Sequence, residues 1–349
     1  MRIGAHGCCS NERGVTAWIG ERSRVSDENE LLMVRAAELY YDDNKTQDEI
    51  GALLGVTRWK VGRLLTQARQ SGIVRIDIVH PSARRLGLER DLCARFGLKD
   101  AVVIPAAEPD VLNANVARAA ADYLTALRPV PRTLGVSWGR TLSELAERLP
   151  RGWSQGVTVV QINGGVSVNR QAGTAADTAM TIAAKASGQA VILPSPAILE
   201  RLETKRAIEA DRTVAGVLSL ASTASAYLYS AGVATKDSVL VDSGYLTPGE
   251  VAELGRNGAV GDVVGRFIDA DGNTVDQDLN ERTVGLGHDQ LRAAQTSIFV
   301  VAGEAKHPVA RAVVSTGLCT VIVTDEATAQ ALLETQPLLE TRSPVEGMK

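Results

Sequence analysis

The sequence predicts an α/β protein of two domains: an N-terminal winged helix-turn-helix and a larger, Rossmann-like C-terminal domain. Three observations carry this expectation. Residues Thr46–Arg75 read as two capped helices joined by a glycine turn and followed by the start of a strand. From Ala101 onward short apolar runs alternate with helical stretches, the pattern of a mostly parallel sheet covered on both faces. A chain of 349 residues is too long for one small core, so two domains are the natural expectation.

Taken in order, residues 1–28 lack the apolar core of a secretory signal and are expected to be a mobile extension or an over-long start. Leu31–Tyr41 is a first helix, with Leu32, Ala36 and Leu39 available for packing. Thr46 then caps a second helix, and Glu49, three residues on, completes a capping box. Ile50, Leu53 and Leu54 share one face of it, and Gly55 ends it. Thr57 caps a third helix whose buried stripe is Val61, Leu64, Leu65 and Ala68. Ile73–Val79 alternates and is rich in β-branched residues, so it is a strand, the start of a wing, closed by His80-Pro81. Leu86–Phe96 is a helix expected to link the domains. The expected organisation is therefore 29–82 for DNA binding, 83–100 for a linker helix and 101–340 for an effector-binding and oligomerisation domain.

Charge supports the first assignment. Between Thr57 and Arg75 the basic residues are Arg58, Lys60, Arg63, Arg69 and Arg75, with no Asp or Glu among them. Over residues 45–90 nine basic residues face four acidic ones, a net of +5 in a chain of net −4, which leaves −9 for the rest. A basic module on an acidic body fits site-specific DNA binding better than bulk coating of nucleic acid. Two helices joined by a tight turn put the second in the major groove, base edges being reached from its N-terminal part. The candidate DNA contacts are Gln47, Thr57, Arg58, Trp59, Lys60 and Arg63, with bases read chiefly by Arg58 and Lys60.

The second domain reads as AVVI (101–104), helix Asn113–Leu127, TLGV (133–136), helix Arg140–Leu149, VTVVQI (157–162), helix Ala175–Ala186, AVILP (190–194) and helix Ile198–Ile208. Further strands are expected at SVLV (238–241), VVGRFI (263–268), SIFVVAG (297–303) and TVIV (320–323), the last followed by helix Glu326–Leu333. Open sheets of this kind bind ligands at the carboxyl ends of their strands. Three such loops carry chemistry. Gly135–Thr141 leaves a strand and opens a helix, so its amides and the Ser137 and Thr141 hydroxyls suit an anion. Gln161 and Asn163, at the next strand end, can bond hydroxyls or a carbonyl. Gly303 and Lys306 follow SIFVV, where the lysine would clamp an anionic ligand. Asp262, in AVGDVVGRF, can accept bonds from a polyol.

The first loop also matches G-x-S-x-G, a nucleophile elbow with Ser137 as nucleophile. Asp262 with His288 or His307 would supply the acid and base in order, so a serine hydrolase stands as an alternative. A ligand-independent DNA-binding scaffold is a second. The four cysteines, Cys8, Cys9, Cys93 and Cys319, contain no C-x-x-C pair and suit neither zinc nor a disulfide framework. No metal or other cofactor is expected, and the expected compartment is a reducing cytoplasm. No apolar run approaches the roughly 20 residues of a membrane span.

Several segments, read together, resemble the SorC family of bacterial transcriptional regulators. They are TQDEIGALLGVTRWKVGRLLTQARQSGIVRI (46–76), GVSWGRTL (135–142), VVQINGG (159–165), DSGYLT (242–247), GAVGDVVGRFIDADG (258–272) and VAGEAKHPVARAVVSTGLCTVIVTDEATAQALL (301–333). They run in the family's order from about residue 31 onward. The resemblance implies a C-terminal domain of the sugar-phosphate isomerase type that binds a sugar, sugar phosphate or polyol and alters affinity for a double-stranded DNA operator. It implies no enzymatic activity, and homo-oligomers, either dimers or tetramers. It also implies that Gly135, Ser137, Trp138, Gly139 and Thr141 hold the phosphate or equivalent end and that Asp262 and Lys306 line the pocket. The position of Asn163 varies among members with their effector. Ala302 and the single Gly303 stand where the family commonly has a glycine pair.

Overall fold

The computed structural model describes residues 29–74, 84–165 and 175–334. The expected wing strand from residue 75 onward (75–83), the expected extension 1–28, and residues 166–174 and 335–349 lie outside the described residues. The chain divides into two compact units, Met1–Val79 and His80–Lys349.

The first unit is three helices: α1 over residues 29–41, α2 (Gln47–Leu54) and α3 (Arg58–Gln70). The capping box is formed: the Glu49 N–H donates to Thr46 Oγ1 (3.3 Å) and the Thr46 N–H to Glu49 Oε2 (2.8 Å). Gly55 ends α2 at φ +66°, and Thr57 caps α3. Ala36, Ala37 and Leu39 of α1 pack on Ile50, Val61, Leu64 and Leu65. Leu53, expected on the buried face of α2, is exposed. The cause is Gly51, whose Cβ would stand 2.7 Å from Val56 O. This close approach turns the Ile50–Gly51 edge inward and leaves Leu53 on the flank.

The second unit contains, in order, α4 (Leu86–Phe96), β1 (Asp100–Ile104), α5 (Pro109–Ala126), β2 (Thr133–Val136), α6 (Arg140–Arg148), β3 (Thr158–Gln161), α7 (Ala175–Lys185) and β4 (Gln189–Val191). Then come α8 (Leu202–Ala210), α9 (Arg212–Ser222), β5 (Ala226–Tyr229), β6 (Ala231–Val233), α10 (Val239–Asp242), α11 (Pro248–Arg256), β7 (Gly261–Val263) and β8 (Arg266–Ile268). It closes with α12 (Gln277–Arg282), α13 (His288–Ala293), β9 (Ser297–Val300), a 3-10 turn (Glu304–Lys306), α14 (His307–Ser315), β10 (Val321–Asp325) and α15 (Glu326–Leu333).

Seven strands form one parallel sheet in the order β1-β10-β9-β5-β2-β3-β4. Alternate residues of each strand serve opposite faces. Val102, Val136 and Leu228 join the core under α5, α6 and α7, while Val103, Tyr227 and Tyr229 join the core under α9, α14 and α15. The helix α4, read from sequence as a linker, buries Leu92 completely and packs against β1 and α15.

Two expected strands take other forms. The run 238–241 is the short helix α10, because Ser238 caps it through a bond from the Leu240 N–H (3.2 Å). A four-residue apolar run does not distinguish the two states. The run 263–268 is not one strand but the tip of the β7–β8 hairpin, which pairs with β6 in a small antiparallel sheet. Val264 (φ +51°) and Gly265 (φ +84°) make the two-residue turn, the backbone of a tight hairpin. The central strand β5 was not expected: its two tyrosines mask an apolar run. Both are buried, Tyr227 donating to Ala221 O (2.8 Å) and Tyr229 to Leu318 O (2.7 Å).

Candidate functional site

The sheet order sets the site. Strands β2, β3 and β4 run outward in one direction, and β5, β9 and β10 in the other. The reversal lies between β2 and β5, and the carboxyl ends of strands at such a point leave a crevice. A cavity of about 330 Å³ occupies it, lined by the loops after β2, β3, β5 and β9 and by the β6–β7–β8 sheet.

The β2 loop supplies Ser137, Trp138, Gly139, Arg140 and Thr141. Gly139 precedes α6 at φ +139°, and no side chain caps that helix, so its first amides are left for a ligand. Trp138 Nε1 donates to Gly164 O (2.9 Å) and ties this loop to the β3 loop. Thr141 Oγ1 donates to Asn113 Oδ1 (2.8 Å), and Arg140, at the mouth, donates from Nη2 to Asp237 O (2.9 Å).

Opposite stand Asp262 and Lys306. Asp262, on β7, is 8 % exposed. Its Oδ2 accepts the Gly265 N–H (3.0 Å), and its Oδ1 presses on β6 so closely that a Cβ on Gly232 would stand 2.0 Å away. Burial pushes its carboxyl up to about 6, against the Gly265 bond and the charge of Lys306. Burial pulls the Lys306 ammonium down to about 8, with Arg140 adding to the effect and Asp262 opposing it. Lys306 Nζ lies 3.5 Å from Ser230 Oγ. Asn163 is 3 % exposed, lines the cavity, and its Oδ1 has no hydrogen-bond partner among the described residues.

Seven of the ten residues expected at the effector site therefore meet in one cavity: Ser137, Trp138, Gly139, Thr141, Asn163, Asp262 and Lys306. Gly135, Gln161 and Gly303 do not line it. Gly135 is a packing glycine, whose Cβ would fall 2.5 Å from the Tyr227 ring. Gln161 lies behind the wall, 2 % exposed, donating from Nε2 to Asn163 O (2.7 Å). Gly303 uses its N–H on Asp325 Oδ2 (3.1 Å) and turns the chain at φ +91°. Sequence reasoning missed Arg140, Ser230, Gly232 and Asp237 as lining residues. The last three follow β5, and recognising that strand would have pointed to them.

The hydrolase constellation does not assemble. No histidine lines the cavity among the described residues. His288 Nε2 is 3.2 Å from Val263 O, and His307 opens α14. Ser137 is not among the residues at positive φ, so it does not stand on a strained elbow.

In the first unit the outer face of α3 forms a shallow groove with Gln47, lined also by Arg58, Trp59, Gly62, Arg63, Thr66 and Gln67. Arg58 Nη1 lies 3.4 Å from Asp48 Oδ2. Thr57 commits its hydroxyl to the cap, accepting the Lys60 N–H (3.3 Å). Lys60 is half-buried and does not line the groove, whereas Trp59 is 85 % exposed. Trp59, Arg63 and Thr66 make the outward ridge, the spacing of one helical face. Thr66 and Gln67 were not singled out in the sequence.

A family model for a sugar-binding domain matches residues 80–334. The chain is 30% identical over 309 residues to the sorbitol operon regulator of Klebsiella pneumoniae, covering 87% of this chain and 98% of that protein. The chain belongs to the SorC family of sugar-binding transcriptional regulators. Full-length SorC from Klebsiella pneumoniae, a crystal structure, matches with a TM-score of 0.65 at 28% identity, over 88% of this chain and 100% of that one. The deoxyribonucleoside regulator of Bacillus subtilis is 30% identical over 308 residues, 88% of this chain and 98% of that protein. The transcriptional regulator LsrR of Klebsiella pneumoniae is 32% identical over 324 residues, 89% of this chain and 98% of that protein. These SorC-family relatives are named as regulators and not as enzymes.

Proposed function

We propose that the β2–β5 cavity binds a monophosphorylated sugar or polyol, and that its occupancy changes the affinity of the α2–α3 unit for a DNA operator. The uncapped N-terminus of α6, with Arg140 and Lys306, takes the phosphate; Asp262 and the free Oδ1 of Asn163 take hydroxyls. One observation carries this reading. An open helix N-terminus and two cations share a cavity with a buried carboxylate, so a ligand with an anionic end and a hydroxylated end matches both walls.

The relatives support the hydroxylated part, being named for sorbitol, for deoxyribonucleosides and, in Brucella abortus, for erythritol catabolism. Gln47, Arg58, Trp59, Arg63 and Thr66 face the DNA, with Lys60 at the flank. On this reading 29–82 is the DNA-binding domain and 101–340 the effector-binding and oligomerisation domain. One such module buries too little for tight binding, so the protein acts in the cytoplasm as a homo-oligomer, a dimer or tetramer, on paired half-sites.

The test is a thermal-shift and calorimetric panel of sugar phosphates, sugars and polyols, followed by operator binding with the best ligand. A phosphorylated ligand should shift the parent and fail to shift Lys306→Ala. An unphosphorylated ligand that binds best, or equal shifts in the parent, Lys306→Ala and Asp262→Asn, would overturn the assignment.

A further inference from the structure

Gly62 stands in the middle of α3, where glycine is the least favourable residue after proline. Packing does not demand it. A Cβ there would meet only Gln47 Oε1, at an ordinary 3.5 Å. Gly51 in α2 is the contrast, where a Cβ would collide with backbone at 2.7 Å. The missing side chain at Gly62 therefore serves the outer surface of the helix.

One turn earlier on the same face is Trp59, an indole left 85 % exposed. Together the two make a notch in the groove of α3, Gly62 at its floor and the indole its apolar wall, with Gln47, Thr66 and Gln67 lining the groove beside them. Its rim carries Arg58 and Arg63. Asp48 is paired to Arg58 at 3.4 Å, and no acid lines the groove among the described residues. A small apolar notch within a cationic rim suits an apolar group presented by a polyanion. In the major groove of DNA that group is the 5-methyl of thymine.

We propose that the Trp59–Gly62 notch seats the 5-methyl group of an operator thymine and makes the protein select thymine at that position. This rests on the reading of α3 as the helix that enters the major groove.

The experiment starts from duplexes selected from a random library by the full-length chain. Each thymine in the selected site is then replaced by uracil, which removes the methyl and keeps the O4 acceptor. One thymine per half-site should give about fourfold weaker binding as uracil, the value of one buried methyl. That difference should vanish in Trp59→Ala. Gly62→Ala should leave the thermal midpoint equal or higher, because alanine favours the helix, yet weaken binding to the thymine duplex and erase its advantage over uracil. A site with no uracil-sensitive thymine overturns the proposal, as does an undiminished thymine preference in both variants. Arg63→Ala separates the two readings. If it weakens binding while uracil has no effect, the notch alone is wrong; if it leaves binding unchanged, α3 is not the reading helix and the notch falls with it.

Discussion

Asp262→Asn is expected to make the unliganded protein more stable at neutral pH while weakening its response to effector. Burial raises the Asp262 carboxyl from 3.8 in the unfolded chain to about 6 in the fold. The folded state then holds a proton that the unfolded state releases, so stability present below 3.8 is lost as pH rises through 6. A shift of about 2 units at ~1.4 kcal/mol each sets the loss near 3 kcal/mol above pH 6, with the attraction to Lys306 already included. Asparagine carries no charge to desolvate and keeps an acceptor for the Gly265 N–H. The variant should therefore gain up to about 3 kcal/mol at pH 7.5, roughly 5 °C in a domain of this size. The assay is the thermal midpoint of both proteins without ligand from pH 4.5 to 7.5. The difference should be smallest at pH 4.5 and reach its full value above pH 6. A variant less stable than the parent at pH 7.5, or a difference independent of pH, would refute the argument that the carboxylate is held against its own solvation.

Three further outcomes follow from the same geometry. Effector affinity should be highest between about pH 6 and pH 8: below it Asp262 takes up a proton, and above it Lys306 loses the charge that meets the phosphate, both measurable by calorimetry across pH. Gly135→Ala should lower stability by about 1–3 kcal/mol in denaturant titration, because its Cβ would fall 2.5 Å from the Tyr227 ring and 2.7 Å from Ile162 Cγ2 within a packed core. Thr46→Ala should destabilise the helix-turn-helix by about 1 kcal/mol without changing effector affinity, read as faster amide exchange in α2.

The elements most legible in the sequence were those with a local chemical signal. The two caps and Gly55 marked α2 and α3 because a hydroxyl or a glycine at a helix end acts within four residues. The β-branched strands β1, β2, β3, β9 and β10 stood out because both of their faces are buried, so each reads as an unbroken apolar run. What escaped depends on partners distant in the chain. The tyrosines of β5 become core residues only because Ala221 O and Leu318 O accept their hydroxyls. The β7–β8 turn needs Asp262 to bond Gly265, which an apolar pattern does not display. The same holds at the site. Ser137 and Lys306 are legible as polar residues in strand-end loops and Asp262 as an acid beside a strand start, but Gly135 reads as their equal although its place is filled by Tyr227.

The cavity without ligand is unfavourable in two ways that point to one remedy. Asp262 and Lys306 are each held where burial opposes their charge, and their attraction offsets only part of that penalty. Asn163 Oδ1 lacks a donor among the described residues, and the first amides of α6 lack a cap. Each deficiency is met by a group that a phosphorylated polyol carries: an anion for Lys306 and the amides, hydroxyls for Asp262 and Asn163. Such complementarity gives affinity, but affinity alone switches nothing. A ligand moves an equilibrium only by the difference in its binding to the two states, typically ~1–3 kcal/mol between coupled sites. The contacts able to supply a difference are those that join separate elements across the cavity. On the proposed reading a phosphate would bridge the β2 loop to the turn after β9, and a hydroxyl on Asp262 would bring in the β6–β7–β8 sheet. A ligand lacking the phosphate would leave Lys306 and the first amides of α6 unengaged, so it should bind more weakly and, more tellingly, change operator affinity less than its binding strength would lead one to expect.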